Sequence, residues 1–154
     1  MIQIPKIRMA LMKDLEKVVK VNVGKEKKFK KRQEEMFARI IPLNRVAVCE
    51  KGKEIVGLIY WNNEFLGRSQ LWYLEQMTVD EKYRRMGIGR GLIEFVKKRA
   101  KRNKIEKLFA DAQNKNIASI LLCLRTGGLI SGTIEGILNS KEKDERIFFR
   151  FELQ

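Results

Sequence analysis

Apolar and polar residues alternate along parts of this chain and recur every three or four positions along others. The two periods predict where strands and helices lie. The clearest alternating run is Leu71–Val79. Leu71, Tyr73, Glu75, Met77 and Val79 share one face of that predicted strand, and Trp72, Leu74, Gln76 and Thr78 the other. Arg45–Glu50 and Glu54–Trp61 read as two strands joined by a Lys51-Gly52-Lys53 turn. Residues 2–9 read as a further strand, interrupted early by Pro5, which suits a sheet edge. From Ala10 to Ile41 the period becomes helical: Leu11, Leu15, Val18 and Val19 form one stripe, and a break near Asn22-Val23-Gly24 precedes a second helix reaching Ile40.

Gly87–Asn103 carries a strong helical pattern, with Ile88, Leu92, Phe95, Val96 and Ala100 inward and Glu94, Lys97, Lys98, Lys101 and Arg102 outward. Ile105–Ala112 reads as a strand and Asn116–Arg125 as a helix stopped by Thr126-Gly127-Gly128. Leu129–Leu138 and Glu145–Leu153 form a terminal hairpin around Asn139–Asp144. This order predicts an α/β (α+β) fold: a mixed, mostly antiparallel central sheet with flanking helices. The strand–helix–strand crossover in its middle makes two neighbouring strands parallel. No internal repeat or Pro/Gly/Ser-rich linker interrupts it, so residues 1–154 read as a single domain.

Composition narrows the chemistry. The chain has 154 residues, with 33 Lys+Arg against 19 Asp+Glu, a formal net charge of +14, and no histidine. Histidine-dependent nucleophiles, HExxH zinc sites and histidine general bases are therefore excluded. Cys49 and Cys123 lie far apart without zinc-ligand spacing, which predicts no metal site and a reducing interior. The start of the sequence has no apolar core of signal-peptide length and no apolar run reaches the length of a membrane span. A soluble cytoplasmic location is the expectation.

The segment that carries chemistry runs from Leu74 to Leu92, where a strand passes into a loop with Gly87, Gly89 and Gly91 and the loop opens a helix. Glycines let a backbone approach a ligand closely, and helix N-terminal amides favour an anion such as a pyrophosphate. Arg84, Arg85 and Arg90 add positive charge at the same place. The dinucleotide fingerprint GxGxxG fails because Leu92 stands where its last glycine belongs, although Asp111 lies near its acidic position. A Walker-type loop is absent.

The pattern Arg84-x-x-Gly87-x-Gly89, reached from a strand ending in Met77-x-Val79, resembles the acetyl-CoA signature of the GNAT family of N-acetyltransferases. The order of elements is similar over most of the chain, and Asn116 opening a helix that ends at Gly127 is similar to the family's second motif. The resemblance implies acetyl-CoA as co-substrate. Its pyrophosphate would be held by amides of Arg85, Met86, Gly87, Ile88, Gly89 and Arg90, with Arg84 as the motif arginine. Arg85 and Arg90 are either phosphate neighbours or solvated charges. It also implies that the strand of Met77, Thr78 and Val79 splays from the next one, so that its backbone binds the pantetheine arm and holds the thioester oxyanion.

Glu75 reads either as a polar residue at a cleft edge or as the general base, with burial raising its pKa toward working pH. Tyr73-Leu74-Glu75 followed by Val79 also resembles the polyamine acetyltransferase branch. Asn116 is either a helix N-cap or, as the resemblance implies, also a contact to the cofactor arm. Cys123 falls seven residues after Asn116, where the family's frequent tyrosine acid belongs. It reads as a small buried residue, with a thiol acid as the alternative. Trp61, Trp72, Tyr60 and Tyr73 are candidates for an acceptor pocket, at least half of them for the core.

The remaining charge concentrates at 25–32 and 97–104. The second run reads as the solvated face of the signature helix. The first points to an acidic partner, and the absence of an aromatic platform argues against a general nucleic-acid role. A polyamine meets a repulsive +14 field, so a protein amine is the better acceptor. The expectation is acetyl transfer from acetyl-CoA to a primary amine, a protein N-terminus or lysine, by direct attack in a ternary complex. The alternative is a non-catalytic acyl-CoA-binding or nucleic-acid/ribosome-associated module on the same fold. Candidate partners are acetyl-CoA, an acidic or ribosomal protein as acceptor, and a second copy of the chain.

Overall fold

The computed structural model describes residues 5–24, 26–135 and 145–153. Its strands are β1 (Lys6–Met9), β2 (Val46–Lys51), β3 (Glu54–Asn62), β4 (Leu71–Val79), β5 (Lys107–Gln113), β6 (Leu129–Glu135) and β7 (Glu145–Glu152). Its α-helices are α1 (Leu15–Val23), α2 (Lys30–Ile40), α3 (Ile88–Arg102) and α4 (Ile117–Arg125). The strand order is β1-β2-β3-β4-β5-β7-β6. β1–β2, β2–β3, β5–β7 and β6–β7 pair antiparallel, and β4 pairs β5 in parallel from Leu71↔Lys107 to Tyr73↔Phe109. The mixed, mostly antiparallel sheet is the one that the pattern predicts, with β1 at an edge after Pro5. Residues 2–4 of the first predicted strand and the turn Asn139–Asp144 lie outside the described residues.

The chain divides into two compact units, Met1–Trp61 with Glu75–Val96, and Asn62–Leu74 with Lys97–Gln154. In the first, Val18 and Val19 of α1 and Phe37 of α2 are fully buried against Val46, Val48 and Leu58 of β2 and β3. The predicted long helical region begins later than its apolar stripe. Met12–Asp14 is a 3-10 turn, because the Asp14 carboxylate accepts from the Leu11 amide at 2.8 Å and from Arg8 at 2.7 and 3.1 Å. Arg8 also donates to Glu50 at 2.9 Å, which ties β1 to β2. A second 3-10 turn, Lys27–Phe29, leads into α2.

The opening half of α3 belongs to this first unit and lies very close to the strands. A Cβ on Gly91 would stand 2.7 Å from the Ile7 Cδ1, and one on Gly57 would stand 3.1 Å from the Ile88 Cγ2. Gly91 is therefore a packing glycine, a role that its place in a glycine-rich loop does not reveal.

In the second unit β5 alternates, with Leu108, Ala110 and Ala112 buried against Phe149 and Phe151 of β7. α4 ends as expected: the Gly127 amide donates to Leu124 and the Gly128 amide to Cys123, a Schellman arrangement with Gly127 at φ +91°. Lys97 donates to the Thr126 carbonyl at 2.7 Å and so fastens that turn. β6 is exposed along its whole length.

Candidate active site

In the first unit the segment Glu75–Arg90 brings most of the predicted site residues together. β4 ends at Val79, the Asp80 carboxylate caps the 3-10 turn Glu81–Tyr83 by accepting from the Lys82 amide at 3.0 Å, and α3 begins at Ile88. The Arg84 Nε donates to the Val79 carbonyl at 3.1 Å, so the motif arginine binds the loop back onto the end of the strand. Arg85 and Gly87 have left-handed φ values of +60° and +78°. Left-handed residues of this kind occur in the tight turns whose backbone amides can converge on an anion.

Arg84, Arg85, Met86, Gly87 and Arg90 are exposed, and a Cβ on Gly87 would meet nothing within 4 Å. Gly87 has no side chain with which to cap α3, and the helix has no acidic residue in its first turn. An open, uncapped helix N-terminus flanked by three arginines fits the pyrophosphate of an acyl-CoA.

Glu75 departs from the burial expected of it as a base: it is exposed, as is Gln76, while Met77, Thr78 and Val79 are half-buried. Burial, and then the Glu75 carboxylate, push the Tyr60 phenol up. The Tyr60 hydroxyl donates to the Gln76 side chain at 3.0 Å. From there a neutral network continues: the Gln76 amide and the Thr78 hydroxyl donate to the Asn22 Oδ1 at 3.3 and 3.0 Å, and the Asn22 amide donates to Gln33 at 2.9 Å. Sequence reading missed this network. Its only trace was two polar residues, Gln76 and Thr78, on the face opposite Glu75.

Trp61 and Trp72 are buried and belong to the core, whereas Tyr60 and Tyr73 are half-buried.

Asn116 and Cys123 lie in the second unit. The Asn116 Oδ1 accepts from the Ser119 amide at 3.1 Å, so the N-cap reading holds. Cys123 is 6% exposed, and burial, with the Asp111 charge adding to it, pushes its thiol up to about 11. It is a protonated, packed side chain at neutral pH. Asp111 itself accepts from the Tyr73 hydroxyl and from Arg146, and Phe65 stacks on Tyr73 with centroids 4.9 Å apart.

The sequence model of the acetyltransferase (GNAT) family matches residues 10–127, which includes every one of these candidate residues. The chain belongs to that family. It is an acetyl-CoA-dependent acetyltransferase. Solved structures share its fold at low identity. An N-acetyltransferase from Staphylococcus aureus is 17% identical with a TM-score of 0.82, covering 98% of this chain and 99% of its own. The ribosomal-protein-S18-alanine N-acetyltransferase from Escherichia coli is 16% identical with a TM-score of 0.80, covering 98% and 95%. The Salmonella typhimurium protein yncA, solved with its cofactor acetyl-CoA, is 16% identical with a TM-score of 0.78, covering 97% and 94%. At these identities the likeness speaks for the fold alone. No curated protein sequence matches the chain. Among the described residues no cluster of three His, Cys, Asp or Glu side chains could hold a metal ion, and no helix is long and apolar enough to cross a membrane.

Proposed function

We propose that this acetyltransferase moves the acetyl group to a primary amine of a protein, at an N-terminus or a lysine, by direct attack in a ternary complex. The observation that carries the reading is the single segment that joins the exposed Glu75 to the uncapped, arginine-flanked start of α3. Acetyl-CoA supplies an activated thioester. Amides from Arg85 to Arg90 bind its pyrophosphate, and the backbone of Met77, Thr78 and Val79 holds the arm and donates to the developing oxyanion. Asn116 caps α4 in this reading.

Glu75 removes the ammonium proton of the acceptor, directly or through a water. Its exposure lets an acceptor reach it from solvent. Cys123, with a thiol near 11, is not a nucleophile that carries the acyl group. This favours direct attack over a covalent acyl-enzyme. Glu75→Gln tests the base. The expected result is a fall in kcat/KM of roughly 10²-fold at neutral pH, recovering at alkaline pH as the free amine deprotonates itself. An unchanged rate and pH profile removes Glu75 from the mechanism.

A further inference from the structure

The acetyl-transfer reading leaves unused the basic segment before and into α2, and the hydrogen-bond network says where that segment sits. Thr78 and Gln76, the neighbours of Met77 and Glu75 on β4, both donate to Asn22 at the end of α1, and Asn22 donates to Gln33 in the first turns of α2. Lys30, Lys31 and Arg32 immediately precede Gln33, so at about 1.5 Å rise per residue they begin within roughly 5 Å of it along the helix. Lys28, Phe29, Lys30, Lys31 and Arg32 are all exposed.

These cations do not serve the helix. α2 has no side-chain N-cap and no acidic residue in its first turn, so they stand at the positive end of its dipole, where cations are disfavoured. Lys30 reaches Glu34 only at 3.8 Å, with both side chains exposed. Over residues 25–32 the sequence holds six cations and one anion, 6 − 1 = +5. Between this patch and Glu75 the linking side chains are neutral amides and hydroxyls, which attract neither a polycation nor a free anion. Phe29, 48% exposed with the Lys28 ammonium 5.7 Å from its ring centroid, adds an apolar contact suited to a side chain.

Resting on the acetyl-transfer reading, we propose that the acceptor is a polypeptide whose amine is followed by acidic residues. The amine reaches Glu75 while the acidic residues dock on Lys28, Lys31 and Arg32. A nucleic acid would satisfy the charge, but the exocyclic amines of its bases are conjugated with the rings and uncharged at neutral pH, so they present no ammonium proton for Glu75 to remove.

The test uses the full chain and two C-terminally labelled, lysine-free decapeptides with the same first residue, followed by Asp/Glu or by Arg at positions two to five. With acetyl-CoA present, the acidic peptide should bind at least tenfold tighter by anisotropy and show the higher kcat/KM by thiol release. The preference should shrink as salt rises from 0.05 to roughly 0.5 M, as screening requires. Lys28→Glu/Lys31→Glu/Arg32→Glu should raise KM for the acidic peptide, keep kcat, and reverse the preference. Stabilisation of the variant by acetyl-CoA, read as a Tm shift, should match that of the wild type, which shows that the variant is folded. Equal binding of the two peptides, or a preference that the triple variant retains, overturns the proposal while acetyl transfer stands. Binding of a single-stranded RNA oligomer at least tenfold tighter than the acidic peptide at equal salt, lost in the triple variant, overturns it in favour of a nucleic-acid surface. No Tm shift of the wild type with acetyl-CoA fails the underlying reading instead.

Discussion

Two helices of this acetyltransferase follow directly on strands, and they begin in opposite ways. α4 follows β5 after three residues, and the Asn116 side chain satisfies its first turn by accepting from Ser119. α3 follows β4 after a longer loop, with Gly87 before it, no acidic residue in its first turn and exposed arginines beside it. One helix start is completed by its own chain. The other, in the proposed reading, leaves amides and charge for a ligand, which would separate a structural turn from a binding site built of the same elements. α1 supplies a third case: Asp14 precedes it and is claimed by Arg8 and the Leu11 amide, a start locked by an ion pair.

The largest effect in this comparison belongs to the locked start. Asp14→Ala removes the buried partner of an ion pair with the half-buried Arg8, which keeps Glu50, and a loss of about 2 kcal/mol in stability is expected by urea unfolding. The hydrogen bonds from Arg8 hold the Asp14 carboxyl below its usual range, with the Leu11 amide helping against the opposing cost of burial. A depressed folded pKa means that this stability is present above the ordinary carboxylate value, about 3.9, and is lost as pH falls through the lower folded value. The wild type should therefore lose stability over that acid range, and Asp14→Asn should flatten that part of the profile. Equal acid profiles would take Asp14 out of the account.

Gly91 separates packing from binding within the signature itself. Gly91→Ala places a methyl 2.7 Å from the Ile7 Cδ1, the movable end of a half-buried side chain, while alanine gains about 1 kcal/mol of helix propensity, so a net change within about 1 kcal/mol is expected, with acetyl-CoA affinity unchanged. Ile7→Val deletes that Cδ1, and Gly91→Ala should be more favourable in that background than in the wild type. A weakened acetyl-CoA affinity in Gly91→Ala would return this glycine to the ligand. The effect at the capped start is similarly small: Asn116→Ala should cost about 1 kcal/mol, measured by thermal unfolding, and Asn116→Ser should recover it. If Asn116→Ser regains stability but not acetyl-CoA affinity, Asn116 also touches the cofactor arm.

What was legible in the sequence followed the range of the forces involved. β4 was read as Leu71–Val79 and lies there, because its alternation is local. α3 and the stop after α4 were read within a residue or so, because glycine backbone preferences are local too. The start of α1 was read too early. Its apolar stripe extends to Leu11, but the Asp14 carboxylate bonds to Arg8 and fixes a 3-10 turn first. The purpose of Gly91 depends on Ile7, 84 residues away, and no spacing rule carries that. Glu75 was read either as a polar residue at a cleft edge or as a base with a pKa raised by burial, and it is exposed. Alternation assigns a residue to a face and does not say whether that face is covered at that point.

In the proposed reading the start of α3 is kept open for the anionic part of acetyl-CoA. Thermal unfolding with and without acetyl-CoA, for the wild type and Gly89→Glu, tests it most directly. Gly89 lies in the first turn of α3, where glutamate is the better helix former and its charge meets the proposed pyrophosphate. At about 100 times Kd the wild type should gain about 2.7 kcal/mol, a Tm rise of roughly 5–10 °C. Gly89→Glu should unfold near the wild-type temperature without ligand and gain nothing from it. A wild type that saturating acetyl-CoA does not stabilise, or a Gly89→Glu variant stabilised as fully as the wild type, would contradict the claim.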